Sequence, residues 1–309
     1  MYGKRLTAQN YSDLLSCRSV MDVADYLKDQ TAYGKVLSGI PQTDIHRGQL
    51  EARLRQKLLE DNASLCRYEI TVGEEFSQYF IRRSEIEQIL RAILFLDAGR
   101  PEDFLFAMPM FLTRHSKVDL KALSRISDFN DLLGTLGRTP YRKILEPFRP
   151  AENGWIDFAG IEGALYSFLY SFVFDIINRH TKGETARQLK DILKSFLDLT
   201  NFINIVRLKL SYRANPEAIR KALLPYGNFS KHVFDRLLEC NTRDEFLSAL
   251  GTTPVGRHAL QHSGGSIGMI PQKMNFRLCR HYINFSTHPA VVLISYVFLN
   301  EAEMHDIVT

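Results

Sequence analysis

The chain has little cysteine, and its four residues, Cys17, Cys66, Cys240 and Cys279, stand far apart with no C-x-x-C pair among them. That spacing excludes a zinc knuckle and a dithiol redox motif, and the residues read as free cytosolic thiols. No H-E-x-x-H occurs. His258 and His262 share the i, i+4 spacing without the glutamate, so neither a metal nor a cofactor is expected. The Lys-Gly pair in HTKGETA (180–186) lacks the upstream glycines of a phosphate-cradling loop and reads as a hinge between helices. Long apolar runs are missing too. The longest, ALYSFLYSFVFDII at 164–177, falls short of the roughly 18–20 residues that cross a bilayer, and the opening MYGKRLTAQNYSDLL has no signal-peptide core. No direct membrane span is expected. Charge of one sign is scarce as well: 39 Lys and Arg against 35 Asp and Glu leave +4, too little to imply nucleic acid, though an acidic protein partner stays open.

What is present is a folded chain of ordinary polarity, 45% apolar and 24% charged over 309 residues. That length suits one large helical body or two to three packed units. Apolar residues recur with the helical period and strand alternation is scarce, which predicts an all-α fold. A first helical region runs to a break at Gly39 and Pro41, and a long amphipathic segment follows from about Gln49 to Phe95, with an interruption at Gly73. RYEITV (67–72) reads as strand or as continuing helix, the helix being favoured. Long helices are expected over roughly 157–180 and 184–213. Asn215-Pro216 is a helix start, and HSGGSIGMIP (262–271) is the clearest loop.

The chain also repeats itself. ISDFNDLLGTLGRTPYRKIL (126–145) lies without gaps over CNTRDEFLSALGTTPVGRHA (240–259), so that Pro140 falls on Pro254. An N-terminal copy keeps Thr31, Tyr33 and Leu37 at the spacing of Thr139, Tyr141 and Leu145 but lacks the Gly and Pro. L-G-x-T-P is a helix-turn-helix junction: Gly ends one helix, Thr caps the next, and Pro fits its first position. Behind the copies come EQILRAILF (87–95) and INIVRLKLS (203–211), which put Arg91 on Arg207, 116 positions apart, and HDIVT (305–309) begins the same element again. A single helical body, 1–309, with pseudo-repeats over roughly 1–115, 116–228 and 229–309 accounts for this pattern, and such repeats offer a concave surface.

Candidate chemistry is thin. Gly264-Gly265-Ser266-Ile267-Gly268 satisfies G-x-S-x-G, but a nucleophile elbow needs a strand before Ser266 and a helix after it, and neither is indicated. The aromatic stripe Tyr166, Phe168, Tyr170, Phe172 and Phe174 has no basic residues interleaved and reads as core. Arg91 and Arg207 differ, because each interrupts an apolar helical run. Each therefore takes a buried ion pair, reaches water, or faces a polar lumen shared by the repeats.

SVMDVADYLKDQTAYGKVL (19–37), EQILRAILF (87–95), FLDLTNFINIVRLKLSYR (196–213), LLPYGN (223–228) and YVFLNEAEMHDIVT (296–309) fall in order across nearly the whole chain. Together they resemble the C subunits of prokaryotic V-type (A/V-type) ATPases, whose eukaryotic counterparts are the V-ATPase d subunits. The resemblance implies an all-helical body of three pseudo-repeated units around a central funnel, with no active site and no cofactor of its own. It implies two partners: the central shaft subunits of the ATPase head, received in the funnel, and the membrane proteolipid ring, on whose cytoplasmic face the protein rests. Such a rotor part couples ATP hydrolysis or synthesis to proton or sodium transport. Arg91 and Arg207 become the lumen-facing, partner-binding candidates. The third copy departs from the pattern, with Val255 in place of Tyr33 and Tyr141 and with the GGSIG loop. The family continues past the position of Thr309, so the third unit is expected to be incomplete here. The alternative reading is a helical-repeat scaffold that binds some other protein in its concave face.

Overall fold

Helices in the computed structural model begin where a short polar side chain accepts the backbone N–H groups that a helix start leaves free. Thr7, Ser19 and Thr242 do so in reciprocal capping boxes, and Asp128, Asp157 and Asn215 by single bonds. The structure describes residues 5–38, 45–151, 154–261 and 270–308, and among these there is helix and turn but no strand.

The element order recurs along the chain. Short helices α1 (Ala8–Ser16), α2 (Val20–Gln30) and α3 (Gly34–Leu37) precede a hairpin of long ones, α4 (Arg47–Cys66) and α5 (Gly73–Asp97). Then come α6 (Phe104–Ala107), α7 (Leu120–Leu123), α8 (Phe129–Leu136) and α9 (Pro140–Leu145), followed by the long α10 (Phe158–His180) and α11 (Gly183–Leu210). Last are α12 (Pro216–Lys221), α13 (Lys231–Glu239), α14 (Arg243–Gly251) and α15 (Pro254–Leu260), before the hairpin α16 (Ile270–Phe285) and α17 (Pro289–Val308).

Both L-G-x-T-P copies join two helices, but each keeps only half of the expected junction: Thr139 makes no capping bond at the start of α9, and Gly251 stays inside α14, whose C-cap is Thr252. Gly137 ends α8 at φ +50°, a backbone conformation glycine adopts without a side-chain clash. Thr253 caps α15 by accepting the Gly256 N–H at 3.0 Å, and Gly256 packs so closely on the Leu250 carbonyl that a Cβ would not fit. Asn215 starts α12 as its sequence indicates, accepting from Ala218 N at 2.8 Å with Pro216 in the first position.

Residues 67–72 do not continue as helix. α4 stops at Cys66, because the Glu69 carboxylate collects the N–H groups of Thr71, Val72 and Gly73 at 3.1, 2.6 and 3.0 Å. Local side-chain bonding of this kind competes with the helical ladder. Gly73 passes against the Cys66 carbonyl too closely for any side chain. Of the expected loop at 262–271, residues 262–269, including Ser266, lie outside the described residues, and α16 already begins at Ile270.

The directions of the long helices follow from their contacts. α5 and α10 are antiparallel: Glu75 meets Arg179 at 2.7 Å near one end, while Arg82 stacks on Phe172 at 3.8 Å further along. α10 turns back through Thr181 and Lys182 into α11, which therefore runs parallel to α5. α17 runs the same way, because Tyr79 meets Phe298 and, one turn on, Arg83 bridges to Glu301. An aromatic centre ties them together, with ring centroids 6.3 Å apart for Tyr170–Phe196, 5.8 Å for Phe196–Phe298 and 6.5 Å for Tyr79–Phe298. Tyr170 and Phe174 of the aromatic stripe are buried, and Tyr166, Phe168 and Phe172 pack against the same core. At roughly 1.5–3 kcal/mol for each fully buried large side chain, this layer dominates the cohesion of the body. Two smaller cores flank it: Phe202, Phe246 and Leu250 under α14 and α15, and Leu27, Leu37 and Leu54 under the N-terminal helices.

α10 exceeds what the apolar run alone indicates. With 23 residues and an 18-residue window of mean hydropathy 1.3, it is long and apolar enough to cross a membrane by composition. In this fold 56% of that window is buried, with Ile161, Leu165, Leu169 and Val173 inside the main core.

Candidate partner-binding site

Because α5, α11 and α17 run in parallel, their C-terminal ends gather at one end of the body. The peptide dipoles leave partial negative charge there, which favours cations in the last turns, while the antiparallel α10 brings its start, and a preference for anions, to the same level. Arg207 stands in the last turn of α11, whereas Arg91 and Glu162 lie inward of the terminal turns of α5 and α10, where the dipole has little hold on them.

Arg207 approaches Glu162 at 3.8 Å with half of its side chain exposed. Burial raises the Glu162 carboxyl above its ordinary value, against the pull of Arg207. Arg91 belongs to a second charged group, shared with α4. There Arg55 donates to Glu87 at 2.7 Å, and Arg83 lies 3.4 Å from the same carboxylate. Burial, and then the like charge of Arg55, lower the Arg91 guanidinium, while Glu87 and Glu51 oppose them. Tyr166 lies between the two groups: its phenol is pushed up by burial first and then by Glu87, against Arg83, with Glu162 adding to the rise. The two arginines thus sit at one end of the body, each with carboxylates nearby. One turn beyond each, Leu94 and Leu210 stand 51% and 43% exposed, at the same 116-residue interval. Sequence reasoning picked the arginines and passed over these leucines, although the interval carries both. The position that HDIVT aligns with the two arginines, Thr309, lies outside the described residues.

A second set of polar residues went unnoticed in the sequence. Glu85 of α5 is 2% exposed and accepts from Tyr141 Oη at 2.6 Å, Lys117 N at 2.5 Å and Ser116 Oγ at 3.0 Å. Glu303 of α17 is 4% exposed and accepts from Tyr33 Oη at 3.0 Å and Leu6 N at 3.0 Å. Asn201 of α11 is fully buried, accepts from Leu224 N and donates to Leu224 O, both at 2.8 Å. The signal was present in the spacing, since Glu85 and Asn201 are also 116 apart.

One turn before Asn201, Asp198 is fully buried. Its Oδ1 accepts from Asn228 N at 2.8 Å and Phe229 N at 2.9 Å, while Oδ2 has no hydrogen-bond partner. Burial pushes this carboxyl up to about 6, against the two backbone bonds and Lys194. Gly227 lies directly on it, and Tyr226 turns at φ +78° to bring its ring, tilted, within 5.2 Å of Phe174. LLPYGN is therefore a tight strap across α11.

Among the described residues no group of three or more His, Cys, Asp or Glu could hold a metal ion. A search of curated proteins returns no match to the chain. The model of the family described as ATP synthase (C/AC39) subunit matches residues 1–309, the whole length. The chain accordingly belongs to that family, the C (or d) subunits of A/V-type ATPases.

Proposed function

We propose that the chain is a non-catalytic central-stalk subunit of a V-type ATPase, which joins the rotating shaft of the soluble head to the membrane proteolipid ring. In that role it couples ATP hydrolysis or synthesis to proton or sodium transport, as a peripheral protein on the cytoplasmic face. The observation that carries this reading is the family match over the full length. The mechanics of the body agree with the task. An adaptor that transmits torque needs stiffness, and three parallel long helices locked through one aromatic layer resist bending and sliding. The recurring order of short helices and long hairpins supports three units arranged about a central funnel, for which the charged end of α5, α10 and α11 is the mouth.

In this reading Arg91 and Arg207 meet the shaft. Their carboxylate neighbours hold them in position, and the exposed Leu94 and Leu210 add apolar contact beside the charge. Charges at an interface set association rate and specificity more than affinity, so the arginines orient the shaft and the leucines hold it. The test is affinity purification of the tagged, full-length protein from gently solubilised membranes, with co-purifying chains identified by mass spectrometry. Head, shaft and proteolipid subunits at fixed stoichiometry are expected, and recovery of none of them sinks the reading. For the two residues, Arg91→Glu combined with Arg207→Glu is expected to slow capture of the shaft at least tenfold at low salt. Unchanged capture by a variant with native circular dichroism removes them from the interface.

A further inference from the structure

The three buried polar residues on the parallel helices occupy matching positions. Glu85 and Asn201 share the interval of Arg91 and Arg207, and aligning Ile307-Val308 with Ile205-Val206 sets Glu303 on Asn201. Each captures the backbone of the segment that leads into another set of short helices. Glu85 takes Lys117 N, just before α7; Asn201 takes Leu224 N and O, ahead of α13; Glu303 takes Leu6 N, just before α1. Two of the three also take the hydroxyl of the tyrosine in the following helix-turn-helix copy, Tyr141 on Glu85 and Tyr33 on Glu303. The first hairpin holds the second set of short helices, the second holds the third, and the third holds the first.

We propose that Glu303 is the buckle of a strap that closes this order into a ring, fastening α1–α3 onto the last long helix, and that the strap opens as a unit without unfolding the rest. Three observations argue for a separable seam. The N-terminal helices pack on a small core shared with α4, Leu27 and Leu37 against Leu54 of α4, with Met304 and Ile307 of α17 beside it, apart from the main core. α1 contributes no buried residue. The remaining ties across the seam are polar: Arg5 donates to the Leu299 carbonyl at 3.2 Å, and its Nε stands 3.2 Å from Glu303 without aligning a hydrogen on it. A region with few buried apolar contacts and several polar ones opens at lower cost than the core it docks on. The inference does not depend on the rotor reading, since it concerns how the chain closes on itself.

The test is hydrogen–deuterium exchange on the full chain, read peptide by peptide, for wild type, Tyr33→Phe and Glu303→Gln. Tyr33→Phe deletes one hydroxyl and keeps the ring; Glu303→Gln keeps the size and removes the charge. In both, amides of α1–α3 are expected to exchange roughly ten- to a hundredfold faster, the worth of one bond to a charged group, while α5, α10 and α11 keep their protection. Unchanged exchange in α1–α3 for both variants overturns the proposal. So does an acceleration spread evenly over α5, α10 and α11, because the N-terminal helices would then be part of one cooperative body.

Discussion

The junction at α5 and the junction at α11 solve the same problem with different chemistry. At α5 a carboxyl group, Glu85, gathers a tyrosine hydroxyl, a serine hydroxyl and a backbone N–H. At α11 an amide, Asn201, accepts from the N–H and donates to the C=O of a single residue, Leu224. The tyrosine position of that third copy holds Val255. Hydroxyl and carboxyl are therefore lost together within one chain. The reason is physical: a buried carboxyl needs several donors, whereas a buried amide is satisfied by the N–H and C=O of one residue. The comparison teaches that the repeated geometry is kept by placing some polar group at this point of the helix, and that the neighbours decide which.

The largest effect should come from breaking the richer junction. Glu85→Ala strands the Tyr141 hydroxyl and the Lys117 N–H and opens a cavity, for an expected loss of about 3–5 kcal/mol in urea unfolding. Asn201→Ala strands the N–H and the C=O of Leu224 and is expected to cost about 1–3 kcal/mol. Equal losses would mean that the two junctions differ in appearance only.

Next in size is the pH dependence that Asp198 adds to the α11 junction alone. Its folded value, about 6, stands above the ordinary 3.8, so the proton is held more tightly in the folded state. The stability it contributes is complete below pH 3.8 and is lost as pH rises through about 6. Between pH 4.5 and 7.5 this amounts to about 2 kcal/mol. Asp198→Asn keeps an acceptor for Asn228 and Phe229 and abolishes the titration. Relative to wild type, the variant is expected to gain about 2 kcal/mol on going from pH 4.5 to 7.5. A difference independent of pH would show that Asp198 does not titrate in this window.

Much of this was legible in the sequence, and the boundary of legibility is instructive. Helix class, the α10 and α11 hairpin, the Asn215-Pro216 start and the places of both L-G-x-T-P turns follow from local chemistry, which is written in consecutive residues, although Thr139 does not cap α9 and Gly251 does not end α14. The end of α4 does not. It depends on Glu69 turning back onto three N–H groups and on Gly73 fitting against Cys66, and nothing in RYEITV alone announces either. Arg91 and Arg207 were visible as charges in apolar runs, but their carboxylate neighbours come from α4 and α10 and needed the fold. Glu85, Asn201 and Glu303 lay hidden for another reason. Each looks like a surface residue on an amphipathic helix until its donor arrives from a segment 23 to 297 residues away.

The smallest expected effect separates the seam from the internal junction. Tyr141→Phe and Tyr33→Phe make the same chemical change, the loss of one hydroxyl donating to one buried carboxyl group. Tyr141 is held in the main core, 1% exposed, with its ring 5.9 Å from Phe168. Its loss is expected to lower the midpoint of global unfolding by the equivalent of about 1–2 kcal/mol. Tyr33, 7% exposed, belongs to the small N-terminal core, where Lys57 stands over its ring. If that core opens before the body does, the hydroxyl is already lost in the state that precedes global unfolding. The main midpoint of Tyr33→Phe is then expected to move by less than about 0.5 kcal/mol while α1–α3 lose protection. A shift as large as that of Tyr141→Phe would place the N-terminal helices inside the same cooperative unit as the aromatic layer, and the seam would be one more internal junction.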